Sequence, residues 1–287
     1  MRILILGGDG MLGHRLLRQL ASHHEVRVTV RQPLEAYRAY RLFDRTNTFG
    51  EVDACDPAAL PEIFGQFRPD VAVNAVGITK RRADAQNGVL SIQVNALFPH
   101  LLARVCEARG ARLVHISTDC VFSGGKGNYA ETDQPDPVDV YGFSKLLGEV
   151  IRPRALTLRT SMIGTELARK TGLVEWFLSQ RGKMIKGYRK AIFSGFTTAE
   201  LARLIERLVT SHPEAAGLYH VSAAPINKFD LLSRLNDRLD LGIRIEPDDA
   251  VAIDRSLDST RFRHDFGYTP PSWDAMLDEL ASEIQQT

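Results

Sequence analysis

The stretch Met1-Arg2-Ile3-Leu4-Ile5-Leu6-Gly7-Gly8-Asp9-Gly10-Met11-Leu12-Gly13 decides the fold class. Aliphatic residues run straight into Gly7-x-x-Gly10-x-x-Gly13, and Leu12, Leu16, Leu17 and Leu20 follow at helical spacing. Strand, glycine turn and helix in that order form the context a dinucleotide fingerprint requires. Gly7 permits the tight turn, and Gly10 lets backbone approach a pyrophosphate resting on the helix N-terminus. Gly13 lets helix and strand pack closely. The spacing differs by one residue from Gly-x-Gly-x-x-Gly. A plain strand-to-helix turn seldom needs three glycines so placed.

Outward from this turn, strands and helices alternate. Strands are expected at Arg2–Leu6, Glu25–Val30, near Asp53, at Asp70–Ala75, Ala111–Ile116 and Ala155–Arg159. Helices are expected at Met11–Ser22, Pro57–Phe67, Ala83–Arg109 with a break near Gly88, and Val138–Val150. The polar, arginine-rich segment 33–50 reads as one short helix plus loop. Such alternation predicts an α/β fold, a Rossmann-type doubly wound parallel sheet with ligands at the carboxyl ends of its strands. Beyond Ser161 the pattern loosens into helices at Leu173–Arg181, Ala199–Ser211, Phe229–Leu239 and Trp273–Gln285, with short strands at Leu218–Val221 and Ile243–Ile245. The expectation is a dinucleotide-binding domain over 1–161 and a smaller mixed α/β substrate-binding region over 162–287, partly interleaved with the first.

A second stretch carries chemistry. Ser117-Thr118-Asp119-Cys120-Val121-Phe122 follows a buried strand, and Tyr141-Gly142-Phe143-Ser144-Lys145 opens a helix. Tyr141 and Lys145 lie four apart, on one helical face. An ammonium beside a phenol favours the phenolate, and a phenol so tuned can exchange a proton with a substrate oxygen. Thr118 can hydrogen-bond the same oxygen. A Tyr-x-x-x-Lys spacing alone is common on ordinary surfaces; the N-terminal glycine turn gives it weight. Asn95, on a partly apolar helical face, reads equally as an active-site group or as a cap on a neighbouring backbone group.

At 287 residues, with 44% hydrophobic and 25% charged residues, the chain has the composition of a soluble globular protein. The net charge of +1 argues against nucleic-acid binding. No apolar run reads as a bilayer span and no secretory signal opens the chain. Cys55, Cys106 and Cys120 match no metal spacing and suggest reduced thiols in the cytoplasm. No metal and no membrane partner are expected, and a homodimer is left open.

Gly7-x-x-Gly10-x-x-Gly13, Thr118 and Tyr141-x-x-x-Lys145 together resemble the extended short-chain dehydrogenase/reductase family. The phrases Ser117-Thr118-Asp119-x-Val121-Phe122-x-Gly124, Tyr129-x-Glu131, Tyr141-Gly142-x-Ser144-Lys145-x-x-Gly148-Glu149 and Leu158-Arg159-Thr160-Ser161 resemble its dTDP-4-dehydrorhamnose reductase group. The resemblance implies an NADPH-dependent reductase of a 4-keto-6-deoxy nucleotide sugar, with Thr118, Tyr141 and Lys145 as the catalytic set. Cofactor contacts are expected from Gly7, Asp9, Gly10, Met11, Leu12, Gly13, Arg31, Asp53, Ala54, Ala75, Val76, Gly77, Tyr141 and Lys145. Arg31 stands where an acid would meet the ribose hydroxyls of NAD, and it can pair with a 2′-phosphate, so NADPH is favoured over NADH.

Substrate contacts are expected from Lys80, Asp119, Cys120, Met162, Ser194, Gly195 and Arg255. Arg255 reads evenly as a diphosphate fork or as an ion pair with Asp254 or Asp258. Cys120 and Met162 replace two aromatics usual in that group, which implies room for a bulkier sugar substituent. Two other readings stand beside the reductase. A nucleotide-sugar 4-epimerase would retain a tightly bound NAD. A non-catalytic NADP-binding regulatory subunit would bind the cofactor without turnover.

Overall fold

The computed structural model describes residues 1–79 and 87–286. In chain order the elements are β1 (Arg2–Leu6), α1 (Gly13–Leu20), β2 (Glu25–Thr29), β3 (Thr48–Phe49), α2 (Leu60–Phe67), β4 (Val71–Asn74), α3 (Gly88–Ser91), α4 (Phe98–Ala108), β5 (Arg112–Thr118), α5 (Val140–Leu147) and β6 (Ala155–Thr160). They continue with β7 (Met162–Ile163), α6 (Leu173–Leu178), β8 (Met184–Tyr188), β9 (Ala191–Phe193), β10 (Phe196–Thr197), α7 (Thr198–Ser211) and β11 (Gly217–His220). The last are β12 (Ile226–Asn227), α8 (Lys228–Leu239), β13 (Arg244–Asp248), β14 (Ile253–Asp254), α9 (Thr260–Phe266) and α10 (Trp273–Gln285).

Seven strands form one sheet in the order β11-β6-β5-β4-β1-β2-β3. β1 runs parallel to β2 and β4, β2 to β3, and β4 to β5. The order reverses between β1 and β4, the switch point of a doubly wound sheet. Buried Leu4, Leu6, Ala72 and Leu113 on these strands pack with Leu60, Phe64, Phe98 and Leu102 from α2 and α4. Each leucine or phenylalanine among them contributes about 1.5–3 kcal/mol by leaving water.

The chain divides into two compact units that interleave along the sequence. One comprises Met1–Thr118, Asp139–Leu158 and Ala202–Leu218; the other comprises Asp119–Val138, Arg159–Leu201 and Tyr219–Thr287. Within the first unit, Arg112 on β5 is buried and donates to Leu208 O at 3.0 Å and Ala215 O at 2.9 Å, so the late segment is tied to the early strand. Within the second, β13 pairs in parallel with β8, from Arg244↔Met184 to Asp248↔Tyr188. Sequence reasoning anticipated only the start of β13 and missed β8.

The expected helix over Ala83–Arg109 is described from Gly88 onward; residues 83–86 lie outside the described part. Asn87 caps α3, its Oδ1 accepting from Leu90 N at 3.1 Å. Between α3 and α4 the backbone widens into a π-helical segment, Ile92–Leu97. The run Gly88–Ala108 holds an 18-residue window long and apolar enough, with mean hydropathy 1.3, to cross a membrane, which the sequence reading had not credited, and 50% of that window is buried within the protein.

Gly7 has φ +85°, in the left-handed region. A Cβ on Gly13 would stand 2.0 Å from Gly7 O, so α1 closes directly onto the glycine turn. Gly13→Ala must therefore push α1 off β1. A loss of about 2 kcal/mol is expected in urea unfolding, with NADPH binding weakened in parallel. Unchanged unfolding and binding would show that the turn tolerates displacement.

Candidate active site

β5 ends at Thr118, which is buried. α5 begins after Asp139, whose carboxylate accepts from Gly142 N at 2.8 Å and caps the helix. That cap fixes the first turn, which carries Tyr141 in a half-buried position. One turn on, Lys145 is only 4% exposed, and its Nζ donates to Ile116 O at 2.6 Å. Burial lowers its pKa to about 8, against the opposing pull of Glu149. Glu149 is held in turn by Ser117 Oγ, which donates to it at 2.7 Å.

Beneath this pair lies a polar layer that sequence reasoning largely missed. Asn74 on β4 stands opposite His115 on β5, and its Nδ2 donates to His115 Nδ1 at 3.1 Å. Burial first, then Lys145, holds the His115 pKa well below its ordinary value, so the ring is neutral. Asn74 Oδ1 accepts from Val76 N at 3.1 Å. Val76 also abuts the glycine turn: a Cβ on Gly7 would meet Val76 Cγ2 at 3.1 Å. The Ala75-Val76-Gly77 loop is thus fixed beside Gly7.

Asn95, in the π-helical segment, resolves toward the capping role. Its Oδ1 accepts from Ile78 N at 2.8 Å, and its Nδ2 donates to Ile78 O and to Ser144 Oγ, both at 3.0 Å. Ser144 Oγ donates to Tyr141 O at 3.0 Å, so one amide joins the loop after β4 to the first turn of α5. A Cβ on Gly148 would stand 1.9 Å from Asn95 O, which explains the glycine at the end of α5.

The expected adenosine-side residues gather near the glycine turn. Tyr37 OH donates to Asp9 Oδ2 at 3.1 Å and accepts from Gln32 N at 3.3 Å. The 3-10 turn Leu34–Tyr40 therefore folds back onto the glycine loop. Asp53 Oδ1 accepts from Cys55 N at 2.8 Å. Burial and then Asp53 push the Cys55 thiol up, while Arg31 pulls it down, so Arg31, Asp53 and Cys55 share one corner. Arg31 itself is exposed, two residues past β2.

The cradle suits a nicotinamide dinucleotide. Gly7 and Gly13 keep side chains out of the turn, and α1 starts there. No acidic side chain stands at the end of β2, and the exposed Arg31 guanidinium suits a 2′-phosphate.

The second unit holds most of the expected substrate-side residues. Asp119–Val121 forms a 3-10 turn, with Cys120 buried. Met162 on β7 pairs with Phe196 on β10. A Cβ on Gly195 would stand 2.1 Å from Ser161 O, so the loop before β10 is pressed onto the residue that joins β6 to β7. Ser194 is buried, accepting from Leu257 N at 3.1 Å and, through its carbonyl, from Ala223 N at 2.8 Å, which is a framework role. Lys80 lies outside the described residues.

Arg255 makes neither expected ion pair. Asp254 Oδ1 accepts from Ser256 N at 2.9 Å and Asp258 Oδ1 from Thr260 N at 2.8 Å. Arg255 Nε instead donates to Phe122 O at 2.7 Å, and Nη1 reaches Cys120 Sγ at 3.8 Å. The space expected to be open beside Cys120 therefore holds a guanidinium.

The Lys145 ammonium loses its proton as pH rises through about 8. The value of kcat/KM for NADPH, which reports the free enzyme, should fall above about pH 8. A profile flat to pH 10 would remove Lys145 from the titrating groups that matter.

Relatives are consistent with this geometry. A dTDP-4-dehydrorhamnose reductase of Salmonella typhimurium is 27% identical over 311 residues, covering 100% of this chain and 99% of its own. A protein of the same name from Burkholderia thailandensis is 34% identical over 168 residues, spanning 57% of this chain and only 50% of that relative. The solved dTDP-4-dehydrorhamnose reductase of Bacillus anthracis in complex with NADP has the same fold, with TM-score 0.81 at 23% identity over 98% of this chain and 99% of that one. Residues 1–286 match the RmlD substrate binding domain family, and the chain belongs to it.

Proposed function

We infer that this chain is an NADPH-dependent reductase that converts the C4 ketone of a 4-keto-6-deoxy nucleotide sugar to an alcohol. The observation that carries the reading is the buried Lys145, anchored on Ile116 O one turn after Tyr141 in the unit that also holds the glycine turn. NADPH, when bound, supplies the hydride. Gly7, Asp9, Gly10, Met11, Leu12 and Gly13 would hold its diphosphate, Arg31 its 2′-phosphate, Asp53 and Ala54 its adenine, and Ala75, Val76 and Gly77 the part beyond.

The protein's own residues manage the oxygen. Tyr141 donates a proton to the carbonyl oxygen as it gains charge. Lys145 supplies a fixed positive charge behind the phenol and a donor for the nicotinamide ribose. Thr118 orients the ketone. Fixing these groups in advance removes much of the entropic cost of assembling them. The first unit is read as the cofactor-binding part, and the second as the source of sugar contacts from Asp119, Cys120, Met162, Gly195 and Arg255.

A panel of 4-keto nucleotide sugars with NADPH, followed at the nicotinamide absorbance, tests the reading. Tyr141→Phe should slow turnover roughly 100-fold or more while NADPH still binds. Near-normal turnover in that variant would sink the mechanism. A dinucleotide retained through purification, with no net NADPH consumption, would point to epimerisation instead.

Cofactor choice has a separate test. NADPH should be preferred to NADH by about 1.5–3 kcal/mol, the scale of a hydrogen bond to a charged group. Arg31→Ala should shrink that gap and leave NADH kinetics nearly unchanged. Equal use of both cofactors by the unaltered protein would make Arg31 a spectator.

A further inference from the structure

Arg255 is half-buried, yet its charge is not spent on a carboxylate. Its position is fixed at three points along the side chain. The stem passes Gly124, where an added Cβ would meet Arg255 Cγ at 3.1 Å. Gly124 has φ +91°, so that position disfavours any side chain. Nε is bound to Phe122 O at 2.7 Å, and Nη1 rests against Cys120 Sγ at 3.8 Å.

A guanidinium has five N–H donors in a rigid fork. One is used by the Phe122 carbonyl and one points at a sulfur, a weak acceptor. Among the described residues the other three have no oxygen partner. The nearby acids do not claim them. Asp254 and Asp258 cap their own turns. Asp136 is bound by Ser123 N at 2.8 Å and Ser123 Oγ at 2.6 Å, and it feels Arg255 only through space. A half-desolvated fork with idle donors is a binding group awaiting an acceptor oxygen.

The turn that receives the fork locates the acceptor. Cys120 follows Thr118, the residue assigned to the ketone, by two positions. On the reductase reading, which gives Thr118 the ketone, we assign the residue two positions later to the sugar ring rather than to the diphosphate. A larger side chain at 120 would occupy the volume that Nη1 uses.

We propose that Arg255 is a specificity-determining residue that reads an acceptor oxygen on the sugar ring, either a carboxylate or an N-acyl carbonyl, and that Cys120 is small so that the guanidinium can stand there. The proposal rests on the reductase reading and names the substrate class within it. The hydroxyls of an unsubstituted 6-deoxy ring are weak acceptors for a guanidinium, while a carboxylate or N-acyl carbonyl is a stronger one.

The test is equilibrium binding, so it does not depend on turnover. Calorimetry would compare nucleoside diphosphate, its glucose conjugate, its N-acetylglucosamine conjugate and its glucuronate conjugate, in the uridine and thymidine series. At least one acceptor-bearing conjugate should bind the natural protein roughly 10- to 100-fold more tightly than the glucose conjugate, as expected for a charge-assisted hydrogen bond. Comparing the last two conjugates tells which acceptor is read. Arg255→Ala should erase that preference and leave the bare nucleoside diphosphate unchanged.

Cys120→Tyr, which keeps the arginine but fills its place, should erase the preference as well. NADPH affinity, read in the same variants, checks that the fold is intact. Loss of NADPH binding by the natural protein would undo the reductase reading, separately from any result with sugars. Equal losses on all ligands, bare diphosphate included, would overturn the proposal and return Arg255 to the diphosphate. Absence of any preference in the natural protein would overturn it too.

Discussion

The hydrogen bond from Lys145 Nζ to Ile116 O is the constraint on which the rest of the first unit depends. It joins α5 to the end of β5, and it does so with a charge taken out of water. A buried ammonium is costly, and the lowered pKa of about 8 expresses that cost. Below that pH the strained charge is retained and weakens the fold. Towards lysine's ordinary 10.5 the penalty is relieved, so this group adds stability as pH rises through that interval. Such a charge persists only if its surroundings are rigid. The Ser117–Glu149 bond, the Asp139 cap and the Asn95 amide supply that rigidity from three directions.

The polar layer under the site follows from the same requirement. Asn74, His115 and Asn95 are all fully buried. Asn74 and Asn95 offset their desolvation by hydrogen bonds to the backbone of the loop after β4, whereas His115 is met only by Asn74, and its buried Nε2 has no partner among the described residues. The loop after β4 is therefore held at both ends, by Asn74 at Val76 and by Asn95 at Ile78. Their contribution is positional. They fix the loop beside Gly7 and the first turn of α5 that carries Tyr141.

What the sequence made legible was short-range. The glycine turn, the end of β5 and the Tyr141–Lys145 spacing are written within a few residues, where strand and helix periodicity fixes direction. What stayed hidden was long-range or irregular. A π-helical segment has no residue pattern of its own, so the placing of Asn95 against Gly148 could not be read. Parallel pairing of β8 with β13 depends on partners 60 residues apart. Arg255 shows the limit best. Its neighbours Asp254 and Asp258 suggested an ion pair, but both acids are consumed by adjacent backbone, and its real partner lies 133 residues away at Phe122.

The interleaved path has a consequence for a chain made from one end. The unit bearing the glycine turn is closed by residues 202–218, which Arg112 grips through two carbonyls. A ribosome that has delivered everything through Ser161 has delivered Thr118, Tyr141 and Lys145 but not the material that completes their support. Until that later segment emerges, the buried Arg112 guanidinium has no carbonyl partners and the flank of the sheet has no cover. The nascent enzyme should therefore acquire its cofactor site late, in one cooperative step, rather than as an early domain that waits for a second.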